Sequence, residues 1–472
     1  MTSNYANVYS SNNGPLKANV NELVVFTNTD TTDFQISGSR LICKNAGTWT
    51  FVSQYQLYSN ITSTEYAKAI LDGWFLLNGS AIPGSDASSS TAILSGTNVL
   101  VIESVLELNV DDYVELGIRC SSYNSKVDVE VKDILDQYEI GTPSVILSLL
   151  KIVNVPSEFK DYANFYSTLT YPKNVNENEY LTITNVDTPD FTLDVDKIIC
   201  NNPGIWSIMS QYQMYCLNSS TIGQNAQIDV WANVNGIDIR FSNASANVVL
   251  KGQTNVICLS GNLLFNKGDY IKIGIRSSSL DGILNTQCIG WTSSSGVYVP
   301  SIIGTAHKVN YAPIIISPTE LYSNAVNINS FGTFPSLPNK AEYIVYDYIS
   351  SQDFTISGTK LICNNAGTWT FCTQYQCSCY ADSIAGINSQ INGWFSKNGK
   401  AISQSNAILS CTTLGESNIL VVQAVIELNI NDYIEVGILS NSIDNKLNVA
   451  VETFLGPTGI TSPCSRLVAN KF

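Results

Sequence analysis

The chain contains the same unit three times, and this repetition constrains its fold more than any other feature. The unit is about 157 residues long and fills the 472 residues almost without insertions. A repeat of this length is a complete domain and not the short module of a solenoid or propeller. The sequence therefore predicts three domains, at residues 1–153, 160–310 and 320–472, with linkers at 154–159 and 311–319.

Glycine and aromatic residues set the register of the three copies. In the first copy they are Gly47, Trp49, Trp74, Gly79 and Tyr113. They recur 157 positions later as Gly204, Trp206, Trp231, Gly236 and Tyr270, and a further 163 positions later as Gly367, Trp369, Trp394, Gly399 and Tyr433. Near the start of the unit Tyr5 matches Tyr162, and Tyr322 is the expected counterpart in the third copy, which then has six additional residues near its start.

Charge and hydropathy exclude several classes of function. The net charge is -15 and the pI about 4.5, whereas nucleic-acid binding needs clustered lysine and arginine. No run of about 18 apolar residues occurs, so we expect no transmembrane helix. The segment after Met1 lacks the basic and apolar regions of a signal peptide, and we expect the protein to stay in a reducing compartment.

Twelve cysteines resemble a disulfide framework until the copies are compared. Only Cys43, Cys200 and Cys363 occupy one position in all three copies, whereas a framework would repeat in pairs. We therefore expect most cysteines to be buried and reduced, with metal binding or oxidative cross-linking as the alternatives. The crowded group at 372–379 contains no CxxC pair, which disfavours zinc.

Alternating hydrophobicity predicts a strand with one apolar and one polar face in each copy. Trp49, Phe51 and Tyr55 share one face, and Gln54 and Gln56 share the other. The same strand presents Gln211 and Gln213 in the second copy, and Gln374 and Gln376 in the third. We predict that the apolar face belongs to the core and that the glutamine face contacts a polar surface.

Turn signals separate the strands. Asn78–Gly79 and its counterparts are Asn-Gly pairs between extended runs, the strongest short-range indication of a β-hairpin. Gly47 and its counterparts precede the tryptophan strand, where glycine supplies a positive φ. Many strands without a convincing long helix predict an all-β sandwich or jelly roll for each domain. The repeated tryptophans are then core residues and not platforms for sugar rings.

Five motifs in constant order resemble one known family. They are Tyr-Ala-Asn-x-Tyr, Asp-Phe before a strand, [Ala/Pro]-Gly-x-Trp, Trp-x-x-x-Asn-Gly, and Asp-Tyr-[Ile/Val]-x-[Leu/Ile/Val]-Gly. The sequence resembles C1q/TNF-like jelly-roll domains of the microbial and viral type, as in spore-surface proteins and virion proteins of large DNA viruses. The resemblance covers nearly the whole chain three times. It implies three tandem jelly-roll β-sandwich domains.

No catalytic constellation stands out in the sequence. His307, the only histidine, is replaced by Leu150 and Asn470 in the other copies and has no evident carboxylate partner. At one position of each copy an aspartate directly precedes a phenylalanine; the aspartates are Asp33, Asp190 and Asp353. At such a turn an aspartate caps its own backbone, with calcium binding as the alternative. We predict no catalytic residue, no cofactor and no metal, and hence no enzyme.

The resemblance also implies trimeric assembly, because such domains pack as three around an axis. We expect the three copies of one chain to form a pseudo-trimer with the glutamine faces near its axis. The candidate contact residues are Gln54, Gln56, Gln211, Gln213, Gln374 and Gln376. The alternative is a homotrimer of chains lying side by side, with their domains stacked in layers.

These expectations favour a non-enzymatic structural protein of a particle surface. The first hypothesis is a capsid-associated, vertex or fibre-head protein of a large DNA virus, located at the capsid surface after assembly in the host cytoplasm. Its partners are then other capsid or surface proteins. The second hypothesis is a spore-coat or exosporium protein, and the third is an adhesin head that binds a host receptor or glycan. None of them involves nucleic acid or membrane insertion.

Overall fold

The computed structural model describes residues 5–29, 31–60, 70–90, 97–122, 126–132, 134–135, 141–152, 160–218, 226–239, 242–248, 251–292, 298–310, 325–330, 332–349, 353–382, 389–402, 405–411, 413–455, 461–462 and 464–471. Within these ranges the regular elements are strands, and no helix occurs. The predicted linkers, 154–159 and 311–319, lie outside the described residues. The prediction of an all-β fold is confirmed.

The first copy contributes fifteen strands to this structure. They are β1 (Tyr5–Ser10), β2 (Glu22–Leu23), β3 (Asn28–Thr29), β4 (Phe34–Ser37), β5 (Arg40–Cys43), β6 (Gly47–Ser59), β7 (Ile70–Leu77), β8 (Ser80–Ala81), β9 (Ala87–Ser90), β10 (Thr97–Leu108), β11 (Tyr113–Ser121), β12 (Val129–Val131), β13 (Ile134–Leu135), β14 (Gly141–Thr142) and β15 (Val145–Ile152).

The second and third copies repeat this order. The second has β16 (Tyr162–Ser167), β17 (Glu179–Tyr180), β18 (Asn185–Val186), β19 (Phe191–Asp194), β20 (Lys197–Cys200), β21 (Gly204–Cys216), β22 (Gln227–Val234), β23 (Ile237–Asp238), β24 (Ala244–Asn247), β25 (Thr254–Phe265), β26 (Tyr270–Ser278), β27 (Thr286–Cys288), β28 (Trp291–Thr292), β29 (Tyr298–Val299) and β30 (Ile302–Asn310). The third has β31 (Ala325–Ser330), β32 (Thr333–Phe334), β33 (Glu342–Tyr343), β34 (Tyr348–Ile349), β35 (Phe354–Ser357), β36 (Lys360–Cys363), β37 (Gly367–Cys379), β38 (Gln390–Lys397), β39 (Lys400–Ala401), β40 (Ala407–Ser410), β41 (Ser417–Leu428), β42 (Tyr433–Asn441), β43 (Val449–Glu452), β44 (Phe454–Leu455), β45 (Thr461–Ser462) and β46 (Ser465–Lys471).

Each copy has two large antiparallel sheets, and the long strand β10 of the first copy is buried along nearly its whole length. In the first copy the axial sheet has the order β10-β6-β15-β1-β3, and the outer sheet has the order β4-β5-β11-β7-β8. The axial sheets of the other copies are built in the same way around β21 and β37. In the third copy the additional strand β32 pairs with β43. The chain is therefore organised as sandwich-like domains.

Aromatic packing at the start of β6 anchors the core. Trp49 is fully buried, its ring meets Phe34 edge-on at a centroid distance of 4.7 Å, and its Nε1 donates to the carbonyl of Asn45 at 3.1 Å. The equivalent pairs, Trp206–Phe191 and Trp369–Phe354, have centroid distances of 4.7 and 4.8 Å. Edge-to-face pairs of this kind add about 0.5–1.5 kcal/mol to the stabilisation from burial.

The aspartate before that phenylalanine reaches beyond its own turn. Asp33 Oδ1 accepts a hydrogen bond from Asn45 Nδ2 at 3.0 Å, and Asn45 Oδ1 accepts one from Lys151 Nζ at 2.5 Å. The same chain of side chains recurs as Asp190–Asn202–Lys308 and Asp353–Asn365–Lys471. The expectation of a cap on its own backbone therefore missed the link from the turn to the last strand, which makes this aspartate part of the scaffold.

The repeated glycines satisfy two different backbone requirements. Asn78 and Gly79 have φ values of 50° and 81°, as a type I′ hairpin turn requires. Gly47 has a φ of 149°, and a Cβ there would lie 2.5 Å from Lys151 Cε.

A cation–π contact recurs on the outer sheet, where the Arg40 guanidinium covers the Tyr113 ring at 4.3 Å. The equivalent pairs are Lys197 over Tyr270 and Lys360 over Tyr433, at 4.8 and 4.2 Å.

The strand register corrects one sequence match. Tyr5 and Tyr162 pair with Leu150 and His307, and the third copy places Ala325 opposite Asn470 in the same way. Ala325, and not Tyr322, is thus the counterpart of Tyr162. Tyr322 itself lies outside the described residues. The match failed because the short motif of the first strand was aligned on its tyrosine, whereas the spacing of 163 continues through this strand.

All twelve cysteines are free thiols, and eleven of them are buried. The exception is Cys372, which is partly buried. The register also shows that Cys216 and Cys379 are equivalent, because they pair with Thr286 and Val449 on matching strands. Burial raises the pKa of Cys216 and Cys379 to about 12, so both thiols stay protonated and weakly reactive.

Candidate functional site

The three copies contact one another around a common axis. The strands β10, β25 and β41, which are equivalent, are in mutual contact. Outside them, β9 of the first copy packs against β25 of the second, β24 of the second against β41 of the third, and β40 of the third against β10 of the first. These contacts run in one direction around the axis. They therefore form a ring that closes within a single chain.

A bidentate amide contact, here called a glutamine clamp, joins each copy to the next. Gln213 Nε2 donates to the carbonyl of Ser88 at 2.7 Å, and its Oε1 accepts from the backbone N–H of Ser88 at 2.9 Å. Gln376 makes the same pair of bonds with Ser245, at 2.7 and 3.1 Å. Gln56 makes them with Ile408, at 2.8 and 2.9 Å. Each clamp thus satisfies one backbone donor and one backbone acceptor of a neighbouring copy.

The clamps are accompanied by further polar contacts between copies. Asn255 lies between two equivalent asparagines: its Oδ1 accepts from Asn98 at 3.3 Å, and its Nδ2 donates to Asn418 at 2.5 Å. At the strand ends the backbone of Thr254 exchanges two bonds with the Ser90 hydroxyl, both at 3.0 Å. All these side chains are buried. Buried polar groups that are paired in this way specify one arrangement of the copies.

The other predicted glutamines behave differently. Gln54 Nε2 donates to the carbonyl of Val421 at 3.3 Å, and its Oε1 has no partner among the described residues. Gln211 is 3% exposed and neither amide atom has a hydrogen-bond partner in the described part of the chain. Gln374 Nε2 is similarly unpaired. Sequence periodicity could not separate these three from the clamps, because both sets lie on one face of the same strands.

A cavity of about 80 Å³ lies where the three axial sheets meet. Nine of its lining residues form three sets of equivalent positions: Val52, Met209 and Cys372; Glu103, Ser260 and Gln423; and Leu150, His307 and Asn470. Its volume matches about five to eight water-sized particles. Unlike the clamps, these three sets of positions carry a different side chain in each copy.

Burial shifts the titration of the ionisable groups in the axial cavity. It raises the pKa of Glu103 to about 7, while the nearby Thr305 hydroxyl acts in the opposite direction. It lowers the pKa of His307 to about 4 and raises that of Cys372 to about 12. The imidazole and the thiol are thus uncharged at neutral pH, because burial makes the charged state of each group unfavourable.

The cavity brings together a carboxyl group and an imidazole that the sequence did not connect. Glu103 went unnoticed, although comparison with Ser260 and Gln423 marks it as unique to the first copy. Neither nitrogen of His307 has a hydrogen-bond partner among the described residues, and Glu103 Oε2 has none either. A general acid–base pair needs contact within hydrogen-bond reach. The two groups therefore do not form such a pair in this arrangement.

The described residues offer no sugar platform at the repeated tryptophans, no metal-binding group and no membrane-spanning helix. The repeated tryptophans are at most 3% exposed, so their rings are inaccessible to a sugar; they are Trp49, Trp74, Trp206, Trp231, Trp369 and Trp394. In the described ranges no three histidine, cysteine, aspartate or glutamate side chains are grouped closely enough to hold a metal ion. The same part of the chain has no helix of sufficient length and hydrophobicity to cross a membrane.

Comparisons with known proteins do not identify a family for this chain. No family model matches the chain, and no curated protein matches it. Solved structures that resemble part of it include crystal structures of murine APRIL at pH 8.0 and pH 5.0, with TM-scores of 0.22 and 0.21. Each is 13% identical and covers 31% of this chain and 98% of that chain. A likeness this weak carries no information on function.

Proposed function

We propose that this chain is a non-enzymatic structural protein of a particle surface, acting as a preassembled trimeric block. In this proposal each copy is a C1q/TNF-like jelly-roll domain of the microbial and viral type. The particle is the virion of a large DNA virus, where the protein is a capsid-associated, vertex or fibre-head component. Its partners are other capsid or surface proteins, and it assembles in the host cytoplasm.

The closed ring of glutamine clamps is the observation that carries this proposal. Gln56, Gln213 and Gln376 each bind the backbone of another copy, so all three contacts are made inside one chain. Covalent linkage holds the copies at high effective concentration and makes the assembly independent of protein concentration. It also lets the outer surfaces differ, which suits a site with several unlike neighbours. A preassembled block of this kind suits incorporation into a multi-subunit particle.

The mass of the full chain in solution tests the block. A chain that closes its own ring has a mass near 51.4 kDa by light scattering, at all concentrations. A mass about three times larger, dissociating on dilution, would contradict the single-chain ring and favour three chains side by side.

Immunogold labelling of intact particles tests the location. We expect an antibody against the folded chain to decorate virions at restricted surface positions. Labelling of spores and not of virions would replace the virion by a spore coat. Absence of the protein from all particle fractions would overturn the structural proposal altogether.

A further inference from the structure

Arg466 is a buried cation that forms no ion pair with a carboxylate of the described residues. It lies on β46 opposite Gln374 of β37 and is only 7% exposed. Its Nη1 and Nη2 donate to the carbonyls of Ser260 and Asn243 at 3.4 and 3.5 Å, both long for such bonds. A guanidinium carries five N–H donors, so this arrangement leaves most of its capacity unused. Burial of a charge without a counter-charge is costly.

The position is charged in one copy only. The equivalents of Arg466 are Ile146 and Ile303, which pair with Gln54 and Gln211 as Arg466 pairs with Gln374. An isoleucine therefore fits this place in the fold. The arginine adds a positive charge to the contact between the second and third copies, where no packing requirement of the repeat calls for it.

A small cavity adjoins the guanidinium. Its volume is about 10 Å³, which is close to the space of one water-sized particle. Arg466 and Gln374 line it from the third copy, and Asn243 and Ala244 line it from the second. Gln374 Nε2 is a buried N–H donor with no partner among the described residues. Among the described residues, no carboxylate lines this cavity.

We propose that this cavity binds one chloride ion between the second and third copies. The ion accepts hydrogen bonds from the Arg466 guanidinium and from Gln374 Nε2, and it supplies the missing negative charge. A water molecule would fill the space but leave the charge uncompensated. Chloride is only slightly larger than a water molecule, so a small shift of the surrounding side chains admits it, whereas phosphate and sulfate are much larger than the cavity. The ion then links two copies at a place where the first copy has no equivalent site.

Halide dependence of stability provides the test, with the full chain in sodium chloride or sodium gluconate at equal ionic strength. A ligand that binds only the folded state raises the melting temperature as its concentration exceeds Kd. For a cooperative unit of this size we expect a rise of about 1–3 °C over a hundredfold increase in chloride. Arg466→Ile should fold, because two copies already carry isoleucine there, and should lose the difference between the two salts.

Matched variants locate the effect. Gln374→Leu removes the second donor and should weaken the apparent chloride affinity by roughly tenfold. Gln211→Leu, the same change in the second copy, should leave chloride affinity unaltered. In crystals of the full chain grown in sodium bromide, an anomalous peak is expected beside Arg466 and absent from Arg466→Ile. No peak, together with equal melting temperatures in chloride and gluconate, would overturn the proposal and assign the cavity to water.

Discussion

The glutamine clamps and the axial cavity lie on the same strands, yet they differ in sequence variation: the clamp residue is identical in the three copies, and the cavity residues are not. The clamp residue is glutamine three times, at positions 56, 213 and 376. A few residues earlier on β6, β21 and β37, the cavity positions carry Val52, Met209 and Cys372. The neighbouring strands add Glu103 and His307, whose counterparts cannot ionise at all.

The difference follows from what each side chain must satisfy. A clamp pairs with a backbone N–H and C=O of another copy, and those groups are the same whatever the neighbouring sequence is. Only a side chain with one donor and one acceptor at the correct spacing meets that requirement. A cavity wall has no fixed partner, so its residues can change in one copy without leaving a group unpaired in another. A side chain that pairs with the backbone of another copy is therefore the same in all three copies. A side chain that lines the cavity can differ between copies.

Removal of all three clamps is the strongest test of their role in holding the copies together. In the triple variant Gln56→Ala, Gln213→Ala, Gln376→Ala, each truncation leaves a buried N–H and C=O unpaired, at about 1–3 kcal/mol for each group. We expect a loss of about 3 kcal/mol of unfolding free energy per clamp, measured by urea denaturation. Gln35→Ala, a change of an exposed glutamine, is the control and should be close to neutral. Equal stability of the triple variant would show that the clamps do not hold the ring.

Two ionisable groups of the axial cavity, Glu103 and His307, should have opposing effects on stability as the pH changes. The pKa of Glu103 is raised from 4.5 to about 7, so its contribution to stability is lost as the pH rises through this interval. The pKa of His307 is lowered from 6.5 to about 4, so its contribution is lost as the pH falls through this one. In the wild type the two slopes largely offset each other between pH 4.5 and 6.5.

Separate variants should reveal both slopes. Glu103→Gln should gain stability relative to wild type as the pH rises from 4.5 to 7, by up to roughly 3 kcal/mol. His307→Leu should gain a similar amount as the pH falls from 6.5 to 4. Each variant uses a residue that another copy has at this position, namely Gln423 or Leu150. Ser148 also lines the axial cavity and cannot ionise in this range, so Ser148→Ala serves as the control. Slopes of the same sign for both variants would contradict this account.

The smallest expected effect distinguishes paired from unpaired glutamines. Gln211 is buried with neither amide atom paired in the described structure, so Gln211→Leu exchanges an unsatisfied polar group for an apolar one of similar size. We expect unchanged stability or a gain of about 1 kcal/mol by urea denaturation. The same substitution at Gln213 should cost about 3 kcal/mol, because it breaks a clamp. A comparable loss at both positions would show that Gln211 has a partner of its own.

The fold was accessible from the sequence where short-range patterns determine it. Period-2 alternation placed Trp49 in the core and Gln54 and Gln56 on the opposite face, and Asn78–Gly79 marked a hairpin turn. The first strand of the third copy was misaligned, because one tyrosine is a weaker guide than the constant spacing that leads to Ala325. Glu103 was missed for a similar reason: nothing in its own strand identifies it as lining a cavity.

The sequence alone determined the triplication, the all-β character and the two faces of each long strand, because these depend on residues close together in the chain or on a constant period. Only the tertiary structure decided which glutamine of each pair makes a clamp. Gln56 bonds to Ile408, 352 residues away, and such a contact depends on how whole domains meet. The axial cavity and the cavity beside Arg466 arise in the same way, because each is bounded by side chains of different copies that no local pattern brings together.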